Sequence, residues 1–179
     1  MKSMDRLVAE HDVIERGLAL LDKAVRRIEA GESLPDGFAQ WAPEFFRQFA
    51  DTCHHAKEED LLFPLMQERG VPGDGGPIGV MLQEHDAGRA CVGRMREAGA
   101  ADPFDGDAFA AAAREFVPLL QQHIFKENQV LFPMATRLFS EADDEELNSR
   151  FSRVEEERNL AGMQERYDAE VTRWEGELG

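Results

Sequence analysis

The sequence predicts an all-α protein, an up-down-up-down four-helix bundle with a C-terminal helical extension. Apolar residues recur at the three- and four-residue spacing of an amphipathic helix through most of the 179 residues. Runs rich in glycine and proline separate four long segments of this kind, and short connections favour antiparallel neighbours. We therefore expect the bundle in residues 1–139 and an acidic helical extension, packed on its outside, in residues 140–179.

The four bundle helices have recognisable ends. The first is expected to begin near Met4, where Ser3 can cap it, and to end at Gly31. The others are expected from the turn at 33–37 to about residue 69, from about 78 to 98, and from about 105 to 139. Pro43 and Pro118 fall inside the second and fourth helices, where each is expected to kink the helix or interrupt its hydrogen bonds.

Composition excludes some classes of function. The chain has 36 acidic and 20 basic residues, a formal charge of −16, which argues against binding to nucleic acid or to an anionic membrane surface. No apolar stretch follows Met1 as in a signal peptide, and none is long enough to span a bilayer. Two cysteines, Cys53 and Cys91, are too few for a disulfide framework. We expect a cytoplasmic protein.

An internal repeat points to the chemistry. The triplet Glu-His-Asp stands around His11 and again around His85. The pattern His-x-x-Lys-Glu-x-x-x-Leu-Phe-Pro begins at His54 and again at His123. Each half of the chain thus supplies one lone helix histidine and one His-x-x-x-Glu pair. The candidate metal ligands are His11, His54, Glu58, His85, His123 and Glu127.

These residue types at this spacing indicate a metal pair. Residues four apart lie on one face of a helix, so each His-x-x-x-Glu pair can reach a common point. His11 and His85 lie within apolar stripes and should also face the bundle interior. Four imidazoles and two carboxylates in a core would be costly to bury, and two cations remove that cost. Nitrogen and carboxylate donors without thiolate suit iron, manganese or zinc, and two shared glutamates suggest bridging.

The same motifs resemble the hemerythrin-like HHE cation-binding family, over about residues 7–139. The resemblance implies two iron ions with an oxo or hydroxo bridge, manganese or zinc being less favoured. It implies reversible binding or reduction of oxygen-type ligands. It also implies that His11 and His54 serve one half of the centre, His85 and His123 the other, with Glu58 and Glu127 as bridges. Which histidines share an ion stays open.

One departure from the family bears on function. Oxygen-carrying members use a fifth histidine one helical turn beyond the third-helix ligand, where this chain has Arg89. Both metals can then keep an open position, which favours reactivity or sensing over oxygen transport. The ligand set is also similar to that of the RIC-type iron–sulfur-repair proteins, although their cysteine-bearing N-terminal domain is not found in these residues. Three interpretations of His55 stay open: a hydrogen-bond donor that supports the ligands, a fifth ligand, or a partly exposed residue.

Three functions follow as expectations. The first is a binding or sensing module whose di-iron centre takes up oxygen, nitric oxide, peroxide or iron itself. The second is an enzyme acting on peroxide or nitric oxide, or an RIC-like repair protein. The third is a helical module with a purely structural metal. No catalytic residue is assigned, and the expected partner is a small diatomic ligand or peroxide.

Overall fold

Residues 1–178, the part of the chain that the computed structural model describes, form six helices and no strands. These are α1 (Lys2–Glu29), α2 (residues 38–68), α3 (Pro77–Ala100), α4 (residues 106–138), α5 (Glu141–Glu157) and α6 (Met163–Leu178). In the bundle α1 and α3 each pack against both α2 and α4. The predicted all-α bundle is confirmed, with helix ends close to those expected. Gly179, the last residue of the predicted extension, lies outside the described residues.

Helices α2 and α4 change winding where the repeat lies. In α2, α-helical Phe38–Phe45 is followed by π-helical Phe46–His55 and Glu58–Leu62, and then by α-helical Phe63–Glu68. In α4, Gly106–Lys126 is α-helical, Glu127–Leu131 π-helical and Phe132–Leu138 α-helical. Pro64 and Pro133, at the ends of the two repeats, have no N–H to donate and crowd the preceding turn. The widened π turn relieves that conflict just after each glutamate of the repeat.

The two internal prolines behave differently from each other. A π-helical segment begins three residues after Pro43, so the expected interruption of α2 is found there. Helix α4 continues as α-helix through Pro118, and the expected interruption of its hydrogen bonds does not break the helix. Pro118 and Arg114, whose carbonyl loses its partner, both lie on the exposed face. Water can satisfy that carbonyl, which explains why the helix tolerates the proline.

The apolar core of the described residues divides into two clusters along the bundle axis. The larger includes Leu18, Phe45 and Phe116, and the smaller includes Leu7 and Phe63. Along each bundle helix, residues of the larger cluster lie toward one end and residues of the smaller cluster toward the other. The metal-binding candidates of the repeat lie in the middle, where one cluster gives way to the other. The polar layer is thus sealed by apolar side chains on both sides.

The extension covers one side of the bundle. Both α5 and α6 pack along α1. The Trp174 ring meets Phe38 edge-on with centroids 5.2 Å apart, and Tyr167 meets Phe45 in the same way at 5.4 Å. These two aromatic residues thus anchor α6 on α2 by packing. Within residues 1–178, no helix combines the length and apolar character needed to cross a membrane.

The start of α1 differs from the prediction. The helix begins at Lys2, and Ser3 is a buried residue of its first turn rather than its cap. Asp144 of α5 accepts hydrogen bonds from the backbone N–H groups of Lys2 and Ser3, both at 3.0 Å, and from the Ser3 hydroxyl. Two free N–H groups of the first turn are therefore satisfied by a side chain more than 140 positions away. Local sequence cannot reveal such a cap.

Candidate metal centre

The structure brings all six predicted ligands together in the bundle interior. His11 comes from α1, His54 and Glu58 from α2, His85 from α3, and His123 and Glu127 from α4. Each is at most 1% exposed. Together with His55, their donor atoms form two overlapping groups, and within each group the atoms lie within 4.8 Å of one another. The groups are His11, His54, Glu58 and Glu127, and His55, Glu58, His85 and His123.

The histidines meet in two pairs. The Nε2 atoms of His11 and His54 are 2.9 Å apart, and those of His85 and His123 are 3.1 Å apart. Two nitrogens bound at right angles to one ion, at about 2.1 Å each, lie about 3 Å apart. The spacing in each pair is therefore the spacing that a shared metal ion needs.

The two carboxylates lie across both pairs. Glu127 places Oε2 3.1 Å from Nε2 of His11 and Oε1 3.0 Å from Nε2 of His123. Glu58 places Oε1 3.7 Å from Nε2 of His54 and Oε2 3.5 Å from Nε2 of His85. Among the described residues, none donates a hydrogen bond to any of these four buried oxygens. Two bound cations would neutralise these otherwise costly groups.

Burial and close charges shift the pKa values of the donor groups. Burial raises the pKa of Glu58 well above its usual range, and the neighbouring charge of Glu127 raises it further. Burial also acts to raise the pKa of Glu127, but His123 and His11 outweigh it and lower that pKa. Burial and the nearby His11 lower the pKa of His54 well below its usual range. His54 is therefore a neutral imidazole, the form that binds metals.

Each of the four imidazoles uses its Nδ1 for a hydrogen bond outside the centre. The Nδ1–oxygen distances are 2.8 Å for His54 with Glu10, 3.0 Å for His123 with Glu84, 2.6 Å for His85 with Glu59, and 2.9 Å for His11 with Asn128. Because these oxygens only accept, each Nδ1 carries the proton. In a neutral ring Nε2 then presents a lone pair. Two lone pairs face each other in each pair, and a cation between them makes that arrangement favourable.

The acidic residues that flank the lone histidines divide into two kinds. Glu10 and Glu84 are hydrogen-bond partners, but each orients a histidine of the neighbouring helix rather than the one it precedes. Asp12 is exposed, and the Asp86 side chain is 78% exposed. The two glutamates therefore orient metal-binding histidines, and the two aspartates lie on solvated helix faces.

The lysines of the repeat hold those glutamates. Lys57 donates to Glu10 and also, at 2.7 Å, to Glu155 of α5, while Lys126 donates to Glu84. Sequence reasoning missed this role, although the lysine stands at the same place in both copies of the repeat. That matched position was the available signal.

The phenylalanines of the Leu-Phe-Pro segments pack directly on the lone histidines. The ring of Phe132 stacks on His11 with centroids 5.5 Å apart, and Phe63 stacks on His85 at 5.9 Å. These segments thus pack against the two lone histidines of the centre, His11 and His85.

His55 is buried, so its interpretation as a partly exposed residue is wrong. It is 6% exposed, and its ring lies nearly parallel to that of His85 with centroids 3.8 Å apart. Arg89, at the position of the fifth histidine of oxygen carriers, donates to Asp51 at 2.9 Å and to Glu59 at 2.6 Å. Burial raises the pKa of the Cys53 thiol to about 12, which makes it an unreactive buried thiol.

Comparison with known proteins gives the same family as the motifs. The profile described as hemerythrin HHE cation binding domain matches residues 3–135. An uncharacterized protein of Mycobacterium tuberculosis is 27% identical over 163 residues, which are 88% of this chain and 63% of that protein. The iron-sulfur cluster repair proteins YtfE of Pectobacterium atrosepticum and Yersinia pseudotuberculosis are each 32% identical over 67% of this chain and 57% of their own length.

The chain therefore spans about six tenths of the length of the curated relatives it matches. No solved structure matches it. The profile covers well over half of the chain and includes all six predicted ligands. This chain belongs to the hemerythrin HHE cation binding domain family and is a metal-binding, hemerythrin-like protein.

Proposed function

We propose that this chain holds two iron ions and uses them to bind a small oxygen-type ligand such as oxygen, nitric oxide or peroxide. The observation that carries the proposal is the pair of buried carboxylates, each with one oxygen toward either histidine pair. Glu58 and Glu127 would hold both ions at once. His11 with His54, and His85 with His123, would supply the nitrogens.

The donor count supports ligand binding over a purely structural metal. Each histidine pair with the two shared carboxylates offers four protein donors. Non-haem iron held by a few histidines and carboxylates keeps positions for small molecules, whereas structural sites are closed. Iron so bound supplies redox chemistry, and the apolar clusters on both sides exclude bulk water. Glu10, Glu59, Glu84 and Asn128 hold the imidazoles in the metal-binding tautomer.

Spectroscopy of iron-loaded protein tests this proposal. We expect near-ultraviolet and visible charge-transfer bands that shift on addition of azide or peroxide. The variant Glu127→Gln, which removes one bridging charge, should lose these bands. Asp12→Asn is the matched control, because Asp12 adjoins His11 but is exposed, and it should behave like the unchanged protein. Bands that ignore azide and peroxide in both proteins would favour a structural metal instead.

Turnover separates binding from catalysis. The same donor set would serve an enzyme acting on peroxide or nitric oxide, which is the alternative expected from the sequence. Multiple turnovers of peroxide or nitric oxide by the iron-loaded chain, lost in Glu127→Gln and kept in Asp12→Asn, would establish that alternative. Reaction limited to one equivalent per centre is the result that a binding protein predicts.

Iron–sulfur cluster repair is a second candidate, favoured by the relatives that carry that name and align with 67% of this chain. It would use the same centre as a source of iron. The test is whether iron-loaded chain restores the activity of an iron–sulfur enzyme damaged by nitric oxide, with Glu127→Gln as the inactive control. Recovery equal to that given by free iron alone would contradict this candidate.

A further inference from the structure

We propose that a cavity between α2 and α3 is a binding site for a small aromatic monocarboxylate. The cavity has a volume of about 280 Å³, and its lining includes two partly exposed arginines, Arg47 and Arg96. The inference goes beyond the proposed function, because neither the cavity nor its charges depend on a bound metal.

Two glycines of α3 keep the cavity open. Gly88 and Gly93 line it from the interior of the helix, where glycine is destabilising relative to alanine. Neither has a positive φ. A Cβ on Gly88 would lie in ordinary contact, 3.5 Å from Cε2 of Phe116, and one on Gly93 would meet nothing within 4 Å. Neither the backbone nor the packing requires glycine here, and the shared effect of the two residues is to leave the cavity unfilled.

The inner wall of the cavity suits an aromatic body. Phe46 of α2 and Phe116 of α4 line it with their rings edge to face, centroids 4.8 Å apart, and each is at most 3% exposed. A further ring packs well edge-on or offset against such a pair. An apolar cavity of about 150 Å³ already binds benzene, so this cavity has room for one ring with a short acidic side chain.

The mouth of the cavity has an unmatched positive charge. Arg47 donates to Glu44 at 2.8 Å, whereas Arg96 is 4.0 Å from the same carboxylate, beyond hydrogen-bond distance. The Arg47 and Arg96 side chains are 42% and 56% exposed. One carboxylate therefore faces two guanidinium groups, on a chain whose formal charge is −16. A guanidinium can bind a ligand carboxylate through two parallel hydrogen bonds.

The third arginine of the lining, Arg89, is already neutralised. It donates to Asp51 at 2.9 Å and to Glu59 at 2.6 Å. Asp51 is an acidic residue of the lining, and its pairing with Arg89 reduces the repulsion that it would exert on an anion. We therefore expect the ligand carboxylate at Arg96, with the ring pointing inward to Gly88.

The experiment uses the full chain, both iron-loaded and metal-free, with phenylacetate and its neutral isostere phenylacetamide as probes. Calorimetry should give a Kd for phenylacetate below about 1 mM and binding of phenylacetamide that is about fivefold weaker. Both forms of the chain should bind alike. In the metal-free chain, phenylacetate should shift the amide NMR signals of Gly88 and Gly93.

Two variants with matched controls locate the probe. Gly88→Leu fills the cavity and should abolish binding of both probes, whereas Gly176→Leu, at an exposed glycine of α6, should change neither. Arg96→Gln should weaken phenylacetate about fivefold, to the level of phenylacetamide. Arg94→Gln is its control, because Arg94 pairs with Glu115 away from the cavity. Circular dichroism checks that all four variants fold.

Three results would overturn the inference. The first is the absence of heat and of NMR shifts at Gly88 and Gly93 with phenylacetate up to about 10 mM. The second is a preference for the acid that survives in Arg96→Gln, or no preference in the unchanged chain. The third is binding to the iron-loaded chain alone that Gly88→Leu keeps, which would place the probe on the metal. None of these results bears on the proposed function, whose iron content and spectra are measured without the probes.

Discussion

Lys57 and Lys126 occupy the same position of the repeat in different surroundings. Lys57 is 1% exposed because α5 covers it and supplies Glu155 as a second acceptor. Lys126 is 35% exposed and has Glu84 as its acceptor. A cation left without a partner in the interior costs several kcal/mol, whereas one at the surface is solvated. The two halves of the centre therefore differ in how strongly they depend on their outer carboxylates.

The isosteric variants Glu10→Gln and Glu84→Gln test this difference. Each removes the carboxylate that orients one metal-binding histidine, so each should weaken iron binding by about 10- to 100-fold. Only Glu10→Gln removes a negative charge from beside a buried ammonium group, that of Lys57. It should lower the free energy of unfolding of the metal-free chain by up to about 3 kcal/mol, and Glu84→Gln by less than about 1 kcal/mol. Denaturant titration measures both, and equal losses would contradict this account.

Single residues of the centre were predictable to different degrees. The six candidate ligands could be predicted because few physical reasons other than metal binding would repeat histidine and glutamate on apolar helix faces. Glu59 and Asn128 could not, since they differ between the halves and leave no repeated signal. His55 was ambiguous because the π-helical winding of α2 changes which directions its neighbouring side chains take.

Close helix contacts at glycine set the packing of the bundle elements. A Cβ built on Gly17 of α1 would lie 2.3 Å from Cε1 of Phe45, a fully buried residue of α2. That distance is far below van der Waals contact, so Phe45 or the backbone would have to move. Gly93 of α3 offers a contrast, since a Cβ there would meet nothing within 4 Å.

Alanine at these two glycines should act in opposite directions. Gly17→Ala overpacks the contact, which should lower the free energy of unfolding by about 1–3 kcal/mol. The better helix propensity of alanine offsets up to about 1 kcal/mol of that loss. Gly93→Ala gains the propensity alone and should stabilise by about 0.5–1 kcal/mol. Thermal unfolding of the metal-free variants checks both. A Gly17→Ala variant as stable as Gly93→Ala would show that α1 and α2 are not held this closely.

At the scale of elements, the helices could be predicted and their winding could not. Periodicity located the four bundle helices because amphipathic stripes depend on local spacing alone. The π-helical segments depend on how Pro64 and Pro133 are accommodated against the packed neighbours. A helix-breaking residue does not indicate whether the chain kinks, widens or continues, as the uninterrupted helix at Pro118 shows.

The extension is tied to the rest of the molecule at both of its helices. Asp144 caps the start of α1, and Arg16 of α1 donates to Glu175 of α6 at 2.9 Å and 2.7 Å. Glu155 adds the link to Lys57 beside the centre. That the extension packs outside the bundle could be expected from its sparse apolar residues. These three polar contacts join positions more than 90 apart, and no local pattern indicates them.

Removing the Asp144 carboxylate should loosen this docking. Asp144→Ala leaves two backbone N–H groups of α1 without their acceptor, which should cost about 1–2 kcal/mol of stability. Glu145→Ala is the control, because Glu145 is an exposed neighbour in α5, and should change little. Hydrogen exchange at the first turn of α1 should rise in Asp144→Ala alone. Unchanged exchange there would contradict the cap.

The same contact predicts a pH dependence. Burial tends to raise the pKa of Asp144, but hydrogen bonds from Ser3 and from the backbone of Ser3 and Lys2 outweigh it and hold the pKa below its usual value. A carboxyl whose pKa is lowered by folding stabilises the fold above its unfolded pKa. The stability difference between the unchanged chain and Asp144→Ala should be full above about pH 4 and vanish as the pH falls through the folded pKa. A difference that grows in acid would contradict this sign.

The central claim is that two ions share Glu58 and Glu127 between the histidine pairs. The most direct test is the iron content per chain after anaerobic iron loading and removal of loosely bound metal. The account predicts two irons per chain, and fewer than one in the double variant Glu58→Gln, Glu127→Gln, in which neither bridge carries a charge. A single iron per chain, or iron content unchanged in the double variant, would contradict it.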